Sequence, residues 1–304
     1  MRLVTTAPAK VNLVLRVGSP RPDGYHDLAS LMVPLDLGDG VEVRVGARAG
    51  PVTCRVPGHR ELDGEKNLAA RAAEAFRRRF STDRAIAIRI EKRTPITAGL
   101  GGGSSDAAAV LRCLARAFGV RDAAALGEVG LSIGSDVPFF LGRGAAWVAG
   151  RGERLRPATV PPLHLVLLYP RDPALAIRAA DAYRWLDQDR QDRPALRLPG
   201  PVRWRPTLLG NDLQPPCVKR HPTLDRLLER LTGVGATATL MSGSGPTVFG
   251  LFADRASARR AAKALSAAAG VDVEVQLVRT VPRLPGVSSW RSPTSASTPS
   301  TRRS

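Results

Sequence analysis

Apolar residues recur at every second position in several short stretches of the chain, and this alternation predicts β-strands. In the first stretch they occupy Val11, Leu13, Leu15 and Val17, while Pro8 predicts a bulge or a division into two short strands. The strands predicted in this way cover 3–17, 41–45, 85–91, 163–168, 236–241, 247–252 and 273–278.

Between these strands, apolar residues spaced three to four positions apart predict helices, as Leu68, Ala72 and Phe76 do on one face. The predicted helices cover 66–79, 105–118, 123–133, 176–187, 222–232 and 255–269. Because helices and strands are mixed without strict βα alternation, the pattern favours an α+β fold.

The same pattern predicts how the chain is divided. An apolar strand begins a new series after about residue 157, so we place a boundary near 155–160 and predict two domains, 1–156 and 157–281. The Arg- and Pro-rich stretch 190–206 is predicted to be a loop. Residues 282–304 are dominated by Ser, Thr, Pro and Arg, and this composition predicts a disordered tail.

Composition limits the class of protein. The 304 residues, 43% of them hydrophobic, suit one or two globular domains, and no run of 18 apolar residues indicates a membrane span. The first ten residues lack the features of a secretory signal. Cys54, Cys113 and Cys217 match neither a disulfide framework nor a metal-ligand spacing. We therefore expect a cytoplasmic protein.

The formal net charge of +18 favours anionic partners, which include nucleotides and nucleic acids. A nucleic-acid-binding face needs clustered basic residues with interleaved aromatic residues, whereas here the arginines are scattered and aromatic residues make up 5% of the chain. We interpret the charge as compositional background and expect a small-molecule substrate, with nucleic acid not the main partner. The sequence leaves both a monomer and a homodimer open.

A glycine-rich loop is the strongest local signal. The run from Pro95 to Asp106 holds four glycines at 99 and 101–103 and leads directly into the predicted Ala-rich helix. Converging backbone N–H groups and the positive end of the helix dipole form an anion site suited to nucleotide phosphates. Ser104 and Ser105 are candidates to cap the helix, bind a phosphate oxygen or hold magnesium. The alternative is a glycine turn that only caps a helix.

Two further clusters carry chemistry. Lys10 and Asn12 share one face of the first strand, which is either an inward face that needs a ligand or the solvated face of an edge strand. Asp136 lies between a Gly-Ser turn and two phenylalanines, where it either accepts a proton from a hydroxyl group or caps a helix.

Three smaller features have ordinary structural explanations as well. The turn Met241 to Thr247 has anion-binding potential. His26, after the turn that holds Tyr25, and Tyr183, in a predicted helix, are residue types that are more often structural than functional in such positions.

The order and spacing of the motifs are more specific than any one of them. The chain resembles the diphosphocytidyl-methylerythritol kinase family of the GHMP superfamily over residues 3–280. The resemblance rests on the segments 7–13, 21–26, 99–105, 134–140, 150–153, 210–213 and 242–245. Arg21 to His26 and the Gly-x-Asp-Val-Pro-Phe-Phe form at 134–140 distinguish this family from other GHMP kinases.

The resemblance implies a two-domain GHMP kinase fold with the active site between the domains. It implies transfer of the γ-phosphoryl group of ATP to the 2-hydroxyl of diphosphocytidyl-methylerythritol in the non-mevalonate isoprenoid pathway. It also implies Mg²⁺ that bridges the ATP phosphates, with Ser104 or Ser105 as a candidate protein ligand.

Roles for individual residues follow from the same resemblance. Asp136 takes the proton of the acceptor hydroxyl group. Lys10 orients both Asp136 and that hydroxyl group. Asn12 binds the erythritol part, and Tyr25, His26 and Tyr183 bind the cytosine. Asn67 and Lys92 lie near the adenosine. The remaining implied contacts are with phosphates: Pro95, Gly99, Leu100, Gly101, Gly102, Gly103, Ser104 and Ser105 for ATP, and Gly243, Ser244 and Gly245 for the substrate.

One position departs from the family. Related sequences often have Thr four residues before the second aromatic residue, where this chain has Ala179. The alternatives to this family are a GHMP kinase for homoserine or mevalonate, which should lack the 21–26 segment, a nucleic-acid-binding module, and an inactive homologue. The inactive homologue is disfavoured because all the matched catalytic positions are present.

Overall fold

The computed structural model describes residues 1–190, 203–268 and 272–289. The strands are β1 (Arg2–Pro20), β2 (His26–Ala49), β3 (Val52–Arg55), β4 (Arg84–Glu91), β5 (Ala146–Gly150), β6 (Arg154–Pro157), β7 (His164–Pro170), β8 (Gly210–Asn211), β9 (Ala238–Met241), β10 (Val248–Phe252), β11 (Val273–Arg279) and β12 (Ser288–Ser289). The helices are α1 (Leu68–Arg79), α2 (Gly102–Phe118), α3 (Ala123–Ile133), α4 (Val137–Leu141), α5 (Ala179–Asp189), α6 (Gln214–Arg220), α7 (Pro222–Gly233) and α8 (Arg255–Ala267).

The first sheet has the order β12-β1-β2-β4-β3, and β5, β6 and β8 extend it from β1 and β2. Strands β1 and β2 are antiparallel, and their register shifts between Pro8 and Lys10. This shift confirms the irregularity predicted at Pro8, which has no N–H group to donate to the ladder. The Lys10 N–H group instead donates to the Leu100 carbonyl oxygen at 2.9 Å. The strand therefore contacts the glycine-rich loop directly.

Helices α1 and α2 pack on the first sheet around Phe76, Ile88 and Leu111. Helix α2 is buried along most of its length because alanines at 107–109 and a cysteine at 113 allow neighbouring elements to approach closely. The core therefore holds this helix, and with it the loop that precedes it, in a fixed position.

The second sheet has the antiparallel order β11-β7-β10-β9. Leu227 and Leu231 of α7 and Leu265 of α8 pack against it. A further buried cluster combines Leu13 of the first sheet with Leu167 and Phe249 of the second. This shared cluster joins the two halves of the molecule.

The α+β class is confirmed, and elements that the sequence patterns missed are either buried without interruption or too short to show a period. Strand β2 is much longer than the predicted 41–45, because residues 29–35 are buried without interruption and show no alternation. Strand β5 is likewise buried at every position. Helices α4 and α6 are too short to show a helical period. The predicted loop 190–206 lies mostly outside the described residues.

The predicted disordered tail is wrong for its first part, 282–289. Ser288 and Ser289 pair with Val4 and Leu3 of β1, and Leu284 and Val287 pack against the first core. These two apolar residues are too few to form a periodic pattern, but the free edge of β1 supplies the hydrogen-bonding partner. Residues 290–304 lie outside the described residues.

The predicted boundary between residues 156 and 157 falls within β6, which ends at Pro157, and it stays a prediction. Strands β8 and β12 nevertheless come from the C-terminal part of the chain and join the first sheet. Within the described ranges, no helix has both the length and the apolar character that a membrane crossing requires.

Candidate active site

A cavity of about 640 Å³ brings together residues from both halves of the molecule. The predicted catalytic and nucleotide-binding residues that line it are Lys10, Gly99, Gly101, Ser104 and Asp136. The predicted substrate-binding residues that line it are Asn12, Tyr25, His26, Tyr183, Gly243 and Ser244. Residues far apart in sequence thus meet at one concave site, as a small-molecule enzyme requires.

Lys10 and Asn12 are buried at the floor of this cavity, with relative exposures of 3% and 1%. The Lys10 ammonium donates to Asn12 Oδ1 at 2.6 Å, and Asn12 Nδ2 donates to Ser30 Oγ at 2.7 Å. Ser30 Oγ in turn donates to the Val14 carbonyl oxygen at 2.7 Å. The alternative of a solvated strand face is therefore wrong, and the hydrogen-bonded chain fixes the orientation of both side chains.

Asp136 lies beside this chain. Its Oδ2 is 3.4 Å from the Lys10 ammonium, and its side chain keeps 29% of its surface exposed. Asp136 occupies the N-cap position of α4, but its side chain makes no capping hydrogen bond. The capping alternative therefore does not describe this carboxylate, which has Lys10 as a charged neighbour and lines the cavity.

The glycine-rich loop contacts the second glycine turn. Gly99 has φ +73°, and a Cβ there would clash with the Ser242 carbonyl oxygen and lie 2.8 Å from the Gly245 carbonyl oxygen. Ser242 Oγ donates to the Gly99 carbonyl oxygen at 3.1 Å. Only glycine permits this approach, so the glycine-rich loop of the first half and the turn of the second half form one continuous wall.

A buried asparagine shapes that turn. Asn211 Nδ2 donates to the carbonyl oxygens of Met241 and Gly243 at 2.8 and 2.7 Å. Its Oδ1 accepts the Leu213 N–H group at 2.9 Å. Asn211 belongs to a segment that carried the family resemblance, but the sequence assigned it no role because a lone asparagine has no distinctive pattern.

The start of α2 is suited to an anion. Gly101 is its N-cap residue and provides no side-chain cap, so the first N–H groups of the helix lack a side-chain acceptor. Ser104 faces the cavity, while Ser105 is buried and its Oγ has no hydrogen-bond partner. The two serines are consecutive in the helix. The Ser104 hydroxyl is accessible to a ligand in the cavity, whereas the Ser105 hydroxyl is buried.

The residues fit a magnesium ion that is carried on phosphates. Within the described residues no group of three or more His, Cys, Asp or Glu side chains could hold a metal ion. Mg²⁺ keeps several ligands from phosphates and water and takes only one or two from protein. The Ser104 hydroxyl, which lines the cavity at the start of α2, is the candidate for one oxygen ligand of this kind.

Lys92 is held between two carboxylates, 2.5 Å from Asp39 Oδ2 and 2.9 Å from Asp106 Oδ2. Asp39 Oδ1 also accepts the N–H groups of Arg93 and Thr94. Burial alone would lower the pKa of Lys92, but the two carboxylates outweigh it and raise that pKa. Burial raises the pKa of Asp106 to about 7, against the opposing effect of Lys92. One lysine thus pairs with two buried carboxyl groups.

Asn67 has a structural role in this conformation. Its Oδ1 accepts the Ala69 N–H group and caps α1, and its Nδ2 donates to the Leu62 carbonyl oxygen. Its assignment to the adenosine, like that of Lys92, stays a prediction.

The aromatic end of the cavity contains Tyr25, His26 and Tyr183. The His26 and Tyr183 rings are stacked with centroids 5.1 Å apart and an interplanar angle of 24°. His26 Nε2 is 3.0 Å from Asp187 Oδ1, and Tyr25 is 47% exposed. Burial raises the pKa of Tyr183 above its ordinary value. Ala179, the residue that departs from the family, also lines the cavity.

Sequence reasoning missed Arg151, Arg184 and Asp187, which line the cavity beside these rings. Arg151 was part of a matched segment, but neither its contact with Tyr25 nor any role was predicted. No local sequence pattern indicated a role for Asp187, because its partner His26 lies 161 positions away in the sequence.

Together the fold and the site define a GHMP kinase. The family models described as "GHMP kinases N terminal domain" and "GHMP kinases C terminal" match residues 67–144 and 201–271. The crystal structure of a homoserine kinase from Cytophaga hutchinsonii, 17% identical, shares the fold with a TM-score of 0.64 over 94% of this chain and 96% of that one.

The chain belongs to the 4-diphosphocytidyl-2-C-methyl-D-erythritol kinase family. It is 71% identical over 309 aligned residues to the 4-diphosphocytidyl-2-C-methyl-D-erythritol kinase of Anaeromyxobacter dehalogenans strain 2CP-C, covering 100% of this chain and 99% of the relative. A crystal structure of 4-(cytidine 5'-diphospho)-2C-methyl-D-erythritol kinase is 34% identical, with a TM-score of 0.71 over 91% of this chain and 99% of that one. The family resemblance found in the sequence is thereby confirmed.

Proposed function

We propose that this kinase transfers the γ-phosphoryl group of ATP to the 2-hydroxyl of 4-diphosphocytidyl-2-C-methyl-D-erythritol, giving ADP and the 2-phosphate for isoprenoid precursor synthesis. The observation that carries the proposal is the Lys10–Asp136 pair, 3.4 Å apart in a cavity that has a glycine-rich loop and an aromatic cluster among its walls. Family membership supports both the donor and the acceptor.

Asp136 receives the proton of the acceptor hydroxyl as the oxygen attacks the γ-phosphorus. Its open side faces the cavity, where a hydroxyl group has room to approach. Lys10 holds the carboxylate and the acceptor in line, and its own position is fixed by Asn12. Because phosphoryl transfer needs positioning and charge stabilisation more than covalent help, this small set of groups is sufficient.

The two ends of the cavity bind the two substrates. The loop from Gly99 to Ser105, with Pro95 at its approach, binds the ATP phosphates, and Asn67 and Lys92 lie toward the adenosine. Asn12 binds the erythritol part, and Gly243, Ser244 and Gly245 lie beside the substrate phosphates. Tyr25, His26 and Tyr183 bind the cytosine by stacking and hydrogen bonds.

Ser104 would hold Mg²⁺ that is carried on ATP, and the ion would supply charge neutralisation for the transferred group. We place the reaction in the cytoplasm, and the three free, buried cysteines support a reducing compartment.

The position of the new phosphate on the product tests the proposal. After incubation with Mg²⁺, ATP and the cytidylyl substrate, ³¹P and ¹³C NMR should show a phosphomonoester coupled to carbon 2 of the erythritol. A phosphomonoester on another carbon would contradict the placement of Asp136 beside the 2-hydroxyl.

A further inference from the structure

Arg151 lies in a tight turn between β5 and β6 whose position is fixed. Its N–H group donates to Glu153 Oε2 at 2.7 Å. The next residue, Gly152, has φ +127°, and a Cβ there would clash with the Ser135 carbonyl oxygen. The turn is therefore packed against the residue that precedes Asp136, so the backbone at Arg151 has a defined place relative to the reacting groups.

The Arg151 side chain reaches the aromatic end of the cavity. Its guanidinium carbon is 3.7 Å from the centroid of the Tyr25 ring, within the range of a cation–π contact. Arg151 and Tyr25 both line the cavity, and the Arg151 side chain is 33% exposed. The contact orients the Tyr25 ring and leaves the edge of the planar guanidinium available for hydrogen bonds.

The charge of Arg151 is only loosely compensated. Its Nη1 is 4.0 Å from Asp23 Oδ2, and Asp23 is shared with Arg21, which lies 3.2 Å away. By contrast Arg184, which also lines the cavity, is 2.7 Å from Asp181. Arg151 Nε is buried without a hydrogen-bond partner. Because its contact with Asp23 is long and shared, Arg151 keeps positive charge that favours an anionic ligand in the cavity.

We propose that Arg151 is a specificity-determining residue that donates hydrogen bonds to the diphosphate group of the cytidylyl substrate while it holds Tyr25 in place for the base. A planar guanidinium has parallel donors that match phosphate oxygens, and it also stacks on an aromatic face. The proposal rests on the proposed function, because it concerns the acceptor end of the same cavity.

Binding of cytidine and of cytidine diphosphate tests the role directly. Both affinities are measured by calorimetry with Mg²⁺ and a non-hydrolysable ATP analogue at saturation, so that the nucleotide site of the donor is filled. The wild-type protein should bind the diphosphate more tightly than the nucleoside. Arg151→Gln should weaken diphosphate binding about tenfold or more and cytidine binding less than about threefold, since one charge-assisted contact contributes about 1.5–3 kcal/mol.

Arg154→Gln is the matched control. Arg154 is on the neighbouring strand, is 59% exposed and is 3.8 Å from Glu153, so both affinities should stay at the wild-type level. Equal losses for both ligands in Arg151→Gln would show that Arg151 only orients Tyr25 and would overturn the proposal. Unchanged affinities would also overturn it. Failure of the wild-type enzyme to phosphorylate the cytidylyl substrate is a separate result, which would contradict the proposed function instead.

Discussion

The Lys10 ammonium lies 3.4 Å from Asp136 Oδ2, although Lys10 comes from β1 and Asp136 from the turn before α4. Lys10 is almost completely buried, whereas the Asp136 side chain is 29% exposed. Both residues line the cavity, but Asn12 fixes the buried lysine on one side, and the carboxylate is the more accessible of the two groups. This asymmetry supports the roles that we propose, with Asp136 as the proton acceptor and Lys10 as the residue that orients it.

Asp136→Asn should remove most turnover and leave ATP binding intact. An amide keeps the size of the side chain but is a much poorer proton acceptor, and the loss of a general base costs about 10²–10⁴ in rate. Single-turnover kinetics with the cytidylyl substrate measures this loss, and calorimetry measures the affinity for ATP. Near-normal turnover of the variant would remove Asp136 from the mechanism.

Tyr25→Ala should raise the KM for the cytidylyl substrate about tenfold or more, because stacking of one base on an aromatic ring contributes about 1–3 kcal/mol. The KM for ATP should change little, because we propose that ATP binds at the loop end of the cavity. Tyr25 is 47% exposed, so the substitution leaves no buried cavity. Tyr25→Phe keeps the ring and is the control. A parallel rise in both KM values would contradict the assignment of Tyr25 to the cytosine.

Lys92→Met should destabilise the protein by about 3–5 kcal/mol, because it leaves Asp39 and Asp106 buried without their positive neighbour. Urea unfolding measures the change. Lys219→Met is the matched control: Lys219 is 69% exposed and 3.3 Å from Asp189, so its loss should cost less than about 1 kcal/mol. Equal costs for the two substitutions would show that the buried ion pairs contribute no more than a surface pair.

The stability of the protein should depend on the protonation of Asp106. Burial raises the pKa of Asp106 to about 7 in the folded protein, from an ordinary value of 3.8. Between these two values the folded state binds more protons than the unfolded state, so this group's contribution to the free energy of unfolding falls as the pH rises toward 7.

Asp106→Asn should abolish that contribution, because an amide does not titrate in this range. Urea unfolding of both proteins at several pH values from 5 to 8 measures it. An identical pH dependence in the wild-type protein and the variant would show that Asp106 titrates at its ordinary pKa.

Alternating strands and amphipathic helices were predictable from the sequence because one face of each is buried. The burial pattern of β4 alternates strictly, and it was predicted almost to its ends. Strand β5 and the first part of β2 were not, because continuous burial removes the alternation. Within the site, the glycine-rich loop was predictable because its chemistry is local.

Contacts between distant residues were not predictable in the same way. Lys92 pairs with Asp39, which lies 53 positions earlier in the chain. Nothing in the local sequence of either residue indicates the partner. Arg151 and Tyr25 likewise meet only because β5 pairs with β2 in the folded sheet. The order of several motifs along the chain identified the family. The family resemblance then implied roles for residues that no local pattern indicated.

The most direct test of the central claim is the release of ADP, measured in a coupled assay with Mg²⁺ and ATP. Reactions with 4-diphosphocytidyl-2-C-methyl-D-erythritol, mevalonate, homoserine and no acceptor are compared. The account predicts ADP release that depends on the cytidylyl substrate. ADP release with mevalonate or homoserine but not with the cytidylyl substrate would contradict it.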